Sequence, residues 1–191
     1  MPEAQSRRIT SEVGCAIAGA GDEIAPADAR LYALRDETAT VERLPQVVAY
    51  IQSKKLAGGA AALVLDGMGV SGAFMLSRDE AQELARALVE TAQEIGLPVR
   101  ALITDMNQPV APAIGNAVEI AEVLQVLRDP KPDQRLCQLT LALAGELMAL
   151  AGAAPSAQEG ARTALDKLHS GAAAEVLGRM IAAQGGPVDF L

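Results

Sequence analysis

The chain has no tryptophan, one histidine, two cysteines, two phenylalanines and two tyrosines among its 191 residues. Each scarcity excludes something. Cys15 and Cys137 are far apart, and no Cys-x-x-Cys or His-x-x-x-His spacing occurs, so the sequence offers no transition-metal site. Basic residues are outnumbered, 16 Lys and Arg against 24 Asp and Glu, giving a net charge of −8. An acidic chain repels phosphate backbones, and there is no basic stripe interleaved with aromatics. Nucleic-acid polymers are therefore not expected partners. No segment approaches the ~20 apolar residues of a membrane-spanning helix, so no membrane partner is expected either. The N-terminal stretch MPEAQSRRITSE has no apolar core, and no secretory leader is expected there. Isolated cysteines in apolar surroundings read as reduced, buried thiols, and the expected compartment is the cytoplasm.

What is present is small and apolar. Half of the residues are hydrophobic, mostly Ala, Leu and Val, which suits closely packed helices. The length allows one domain, or one lobe plus a piece of another.

The apolar pattern alternates between two periods. VGCAIAG, residues 13–19, and AALVLD, residues 61–66, read as short buried strands, and VRALITD, residues 99–105, as a third. Between the first two strands, Pro26 and Asp28 open a helix from about residue 26. A second helix spans roughly 44–57, with Leu44, Val47, Val48 and Ile51 as its apolar stripe and Gly58-Gly59 as its stop. Ser77 and Glu80 form a capping-box pair for a helix at 78–95. Four further helices are expected at about 116–128, 134–151, 157–169 and 172–184.

Strand, helix pair, strand, helix, strand, helices is an α/β order with parallel pairing. The expected fold is a parallel sheet with flanking helices plus part of a small helical lobe. Residues 1–26 hold the first strand region, 27–57 the lobe's helices, and 58–191 the main α/β lobe. A three-stranded parallel sheet is narrow and leaves hydrogen-bonding edges uncovered, which points to strands supplied from elsewhere.

Several residues are candidates for chemistry. Gly67, Gly69 and Gly72 spell GxGxxG after a strand, the pattern of a dinucleotide-binding loop. In that loop the helix opens inside the motif and receives the pyrophosphate. Here the helix cap is Ser77, and no acidic residue stands at the expected ribose position, so a tight structural loop is the better reading. Tyr50 and Lys54 are one helical turn apart and share a face with Val47 and Ile51. By spacing alone Lys54 is a lysine snorkelling at a helix end, and Arg35 a helix-terminal arginine. Asp105, Asn107, Asn116 and Glu119 form an oxygen-rich stretch that caps a helix or holds a hard cation. His169 lies at a helix end, with a capping or solvent-facing role and no assignment as a general acid.

The segments APADARLYALRDETATVE, LAGGAAALVLDGMGVSGAFM, ALITDMNQ, GNAVE and AAEVLGRMIAAQGGPVDF occur in this order over most of the chain. Together they resemble the thymidine and pyrimidine nucleoside phosphorylase family. The resemblance implies reversible phosphorolysis of a pyrimidine nucleoside to free base and pentose 1-phosphate, with inorganic phosphate as co-substrate and no organic cofactor. It also implies that Arg35 and Lys54 bind the pyrimidine and act catalytically. A departing base gathers negative charge on its carbonyl oxygens, which two cations stabilise most in the transition state. Val41, Val47, Ile51 and Phe74 match apolar positions of the base pocket, and Tyr50 stands where the family has a serine. Glu119 matches a region that holds a structural monovalent or divalent cation in some members. Met68 stands where the family has a lysine.

The family's glycine-rich phosphate loop and its proton-donating histidine have no counterpart in these residues. The resemblance therefore implies a second polypeptide that supplies the phosphate site, or a homo-oligomer. A non-catalytic pyrimidine-binding module and an assembly module remain alternatives.

Overall fold

The computed structural model describes residues 3–17, 25–37, 43–69 and 77–190. The described residues form an α/β arrangement in the order α1 (Glu3–Val13), α2 (Pro26–Glu37), α3 (Leu44–Ala57), β1 (Leu63–Gly69), α4 (Arg78–Glu94), β2 (Val99–Asp105), α5 (Asn116–Arg128), α6 (Arg135–Leu150), α7 (Ala157–His169) and α8 (Ala172–Ala183).

β1 and β2 pair in parallel from Leu63 opposite Val99 to Gly69 opposite Asp105, with α4 as the crossover. Successive side chains on a strand point to opposite faces. On one face Leu63, Leu65 and Val99 pack with Val89, Ala92 and Leu97 of α4 and the turn after it. On the other face Arg100 reaches Glu146 of α6 at 2.5 Å. The pair is thus held between α4 and α6, which is how a parallel sheet is normally covered. The capping box expected at α4 is formed: the Ser77 hydroxyl accepts from Glu80 N, and Ser77 N donates to the Glu80 carboxylate.

A second core lies in the helical half. Val126 of α5, Cys137 of α6 and Leu168 of α7 are buried against one another, with Leu127, Leu136, Leu141 and Ala173 around them. α6 and α7 approach backbone to backbone at Gly145 and Gly160. A β-carbon on Gly160 would lie 2.7 Å from Gly145 O, and one on Gly145 would lie 2.8 Å from Ala161 N and clash with Ala157 O. α1 packs on α8, where Ile9 and Met180 are buried.

The strand expected at 13–19 is not formed over its described part. Val13 ends α1, and residues 14–17 are irregular. The run is apolar for a different partner. The Cys15 thiol donates to Met180 Sδ at 3.6 Å. Ile17 N donates to Gln184 Oε1 at 3.1 Å, and Ile17 O accepts from Gln184 Nε2 at 2.6 Å. A side-chain amide on the end of α8 takes the backbone bonds that a neighbouring strand would have taken. Among the described residues the sheet therefore has two strands rather than three. Helix α1 was not expected. Only Ile9, fully buried, marks its inner face.

β1 also runs further than expected, through Gly67 and Gly69. The half of the GxGxxG pattern that is described is strand, and the next described helix begins at Arg78. A β-carbon at Gly67 would sit 3.2 Å from Leu102 O, so close strand approach accounts for that glycine without a nucleotide.

The α6–α7 crossing gives a test of sign. Helix propensity alone makes Gly145→Ala stabilising by about 1 kcal/mol. Overpacking at a backbone contact costs about 1–3 kcal/mol. We expect a lower urea midpoint for Gly145→Ala. A higher midpoint would show that the two helices do not meet at this residue.

Candidate functional site

α2 and α3 form a helical pair, and α3 rests on α4. α3 forms where the sequence places it. Pro45 sits in its first turn, and Gly58 closes its end, donating its N–H to Lys54 O at 3.0 Å. Of the expected apolar stripe, Val48 is buried, while Leu44, Val47 and Ile51 are half-buried. Gln52 is the residue that spacing missed. It is 3% exposed, and its Nε2 donates to Leu88 O at 2.8 Å, tying α3 to α4, while its Oε1 has no hydrogen-bond partner.

Lys54 is not a lysine snorkelling into solvent. Its side chain is 28% exposed, and its ammonium lies 3.8 Å from Asp28 Oδ2, across the contact between α2 and α3. The same nitrogen sits 3.8 Å from the centroid of the Tyr50 ring, one turn back on α3. That is cation–π distance. Asp28 is itself 9% exposed, and its Oδ2 makes no hydrogen bond. The cation thus rests between a buried carboxylate and an aromatic face.

Arg35 lies on α2, seven residues after Asp28, which places it about 10 Å further along the same helical face. Its side chain is outside the described set, and Val41 and Phe74 lie outside the described residues altogether. Met68 belongs to β1, and its side chain is likewise not described.

The other polar cluster lies at the carboxyl ends of the strands, where open parallel sheets commonly bind ligands. Thr104 Oγ1 donates to Asp66 Oδ1 at 2.5 Å across the strand pair. Asp105 Oδ1 accepts from Asn107 N at 2.9 Å, and Arg135 donates to Asp105 O. A cavity of about 380 Å³ opens beside Asp66, Thr104, Arg135 and Gln138. A larger one, about 590 Å³, is lined by Asn107, Val110, Ile114, Glu119 and Val123 among others. Among the described residues, neither of these two cavities is lined by Lys54 or Tyr50. The charge cluster differs from the strand ends in its chemistry. It holds a buried carboxylate oxygen without a hydrogen-bond partner, whereas the polar groups at the strand ends bond one another.

Glu119 Oε1 accepts from Gly115 N at 2.9 Å, closing the first turn of its own helix. Among the described residues no three His, Cys, Asp or Glu side chains gather as a cation site.

His169 ends α7 and is exposed. Cys137 is fully buried. Burial, helped by Asp133, pushes its thiol above the usual range, which suits packing rather than nucleophilic attack. Cys15 is half-buried and also a free thiol. Among the described residues no helix is long and apolar enough to cross a membrane.

Comparison with known proteins bears on all of this. Residues 1–174 match the family described as "Glycosyl transferase family, a/b domain". The chain is 50% identical over 189 residues to a thymidine phosphorylase of Agrobacterium fabrum, an alignment covering 99% of this chain and 43% of that protein. It is 49% identical over 185 residues to a thymidine phosphorylase of Mesorhizobium japonicum, covering 97% and 42%. Against a thymidine phosphorylase of Burkholderia cenocepacia it is 45% identical over 192 residues, covering 100% and 44%. The chain thus spans less than half the length of the curated relatives it matches. The family match runs from the first helix into α8, through both strands and both cores, and this chain belongs to the glycosyl transferase family, a/b domain.

Proposed function

We propose that this chain contributes the pyrimidine-binding side of a thymidine phosphorylase-type site, with a second polypeptide supplying the phosphate loop. The reaction is phosphorolysis of a pyrimidine deoxynucleoside to base and deoxyribose 1-phosphate, a pentosyl transfer with inorganic phosphate as co-substrate, carried out in the cytoplasm. The observation that carries the reading is the position of the Lys54 ammonium at the contact between α3 and α2, the helix that also bears Arg35. Its support from relatives is the 45–50% identity to proteins named thymidine phosphorylase.

Lys54 and Arg35 hold the carbonyl edges of the base. As the glycosidic bond breaks, electron density moves onto those carbonyls, and the two cations stabilise it more than they stabilise the neutral bound base. Val47 and Ile51, half-buried on α3, flank the base with apolar surface. Phosphate attacks the sugar carbon from a site on the partner chain.

Tyr50 favours a second reading, in which the chain binds a pyrimidine without turning it over. A phenol ring against Lys54 occupies space on the side where the family has a smaller serine. Thymine binding by this chain alone, observed by ligand NMR, together with no phosphorolysis when a phosphate-loop polypeptide is added, would select it.

The principal test is reconstitution. Native purification should yield a stoichiometric second chain, and the complex should release thymine from thymidine only when phosphate is present. In that complex Arg35→Ala should lower turnover by about 100-fold, the scale of losing one transition-state donor. A loss below about threefold, less than 1 kcal/mol, would remove Arg35 from the site.

A further inference from the structure

An acid in the first turn of a helix usually has a simple purpose. Asp28 in α2 could serve only the positive end of its helix. Such a residue does that work from water, where its charge costs nothing to solvate. Asp28 is instead nine-tenths buried, and its Oδ2 has no hydrogen-bond partner. An ionised carboxylate held this way is expensive unless a positive charge offsets it. Among the described residues, Lys54 brings a positive charge to it.

The spacing of the pair is informative. At 3.8 Å the contact with Asp28 is too long for a hydrogen bond, so this attraction is between charges. A second contact comes from the Tyr50 ring. A lysine side chain has four rotatable bonds, and ordering its head is costly in entropy. Two contacts from two helices cover that cost before a ligand arrives, which is the meaning of preorganisation. Asp28 also makes Lys54 depend on α2, so the two cation-bearing helices are set relative to each other by this pair.

We infer that Asp28 is a positioning residue of the pyrimidine site: its buried carboxylate fixes the Lys54 ammonium in place to meet the base carbonyl, without itself touching the base. The inference rests on the base-binding reading above and adds to it a residue on α2 that acts only through Lys54.

The test is a double-mutant cycle on the whole chain, in the complex if one is isolated, with thymine as the probe. Asp28→Asn keeps the shape and removes the charge, and Lys54→Met removes the ammonium and keeps the stem. Asp28→Asn should weaken thymine binding by about fivefold or more in the wild-type background and by less than about twofold in the Lys54→Met background, since coupled residues are non-additive. Equal losses in both backgrounds would mean that Asp28 acts through general structure, and would overturn the inference. A loss with Lys54→Met that Asp28→Asn does not share would overturn it too, while leaving base binding by Lys54 intact. No thymine affinity in any form, the wild-type complex included, would overturn both readings.

Should Asp28→Asn fail to fold, the wild-type protein supplies a second measurement. Lys54 should be acylated by acetic anhydride more slowly than its exposed neighbour Lys55, read by peptide mass spectrometry. Equal rates would show an ammonium that is not held, and the inference would fall.

Discussion

The structure depends on covering both faces of one parallel strand pair. β1 and β2 expose apolar side chains on one face and mixed ones on the other, and neither face can be left in water. α4 takes the first through Val89 and Ala92, and α6 takes the second, with the Arg100–Glu146 pair at its edge. The other described helices attach to one of these two, directly or through a neighbour. α3 joins α4 through the buried Gln52 amide, and α2 follows α3. α7 joins α6 at the paired glycines, and α8 and α1 follow. The candidate base site thus hangs from the α4 side of the sheet, and the large helical core from the α6 side.

This division bears on chemistry. The α2–α3 pair touches the rest of the described molecule mainly through one helix contact, so its internal geometry must be set from within. A buried carboxylate facing a lysine is a costly way to stabilise a helix pair, and apolar residues would do it more cheaply. It is a suitable way to fix where one ammonium stands. The strand ends hold a contrasting arrangement. Thr104 bonds Asp66 and Arg135 bonds the Asp105 carbonyl, and the cavities beside them are lined by polar groups and apolar loop residues.

Much of the fold was legible along the chain. α3 keeps its expected bounds because Pro45 and Gly58 are local signals that do not depend on the tertiary context. β2 and the capping box of α4 were legible for the same reason. The run 13–19 misled because apolarity reports burial and not the partner. Its described residues are at most half-buried, Ile17 being 70% exposed, and the backbone bonds of Ile17 go to Gln184 at the end of α8 rather than to a strand. Helix α1 was hidden because a single buried isoleucine gives no period to read.

At the candidate site the sequence by itself determined the residue types and their helices: Arg35 on α2, and Tyr50 with Lys54 one turn apart on α3. Those follow from 3.6-residue spacing and from blocks in family order. Only tertiary structure decided that Lys54 meets Asp28, 26 positions away in the chain but 3.8 Å away in space, and that Gln52 turns inward to bond Leu88 O. Local propensity acts within a few residues, whereas the contact between two helices is set by which faces the rest of the molecule leaves available to pack.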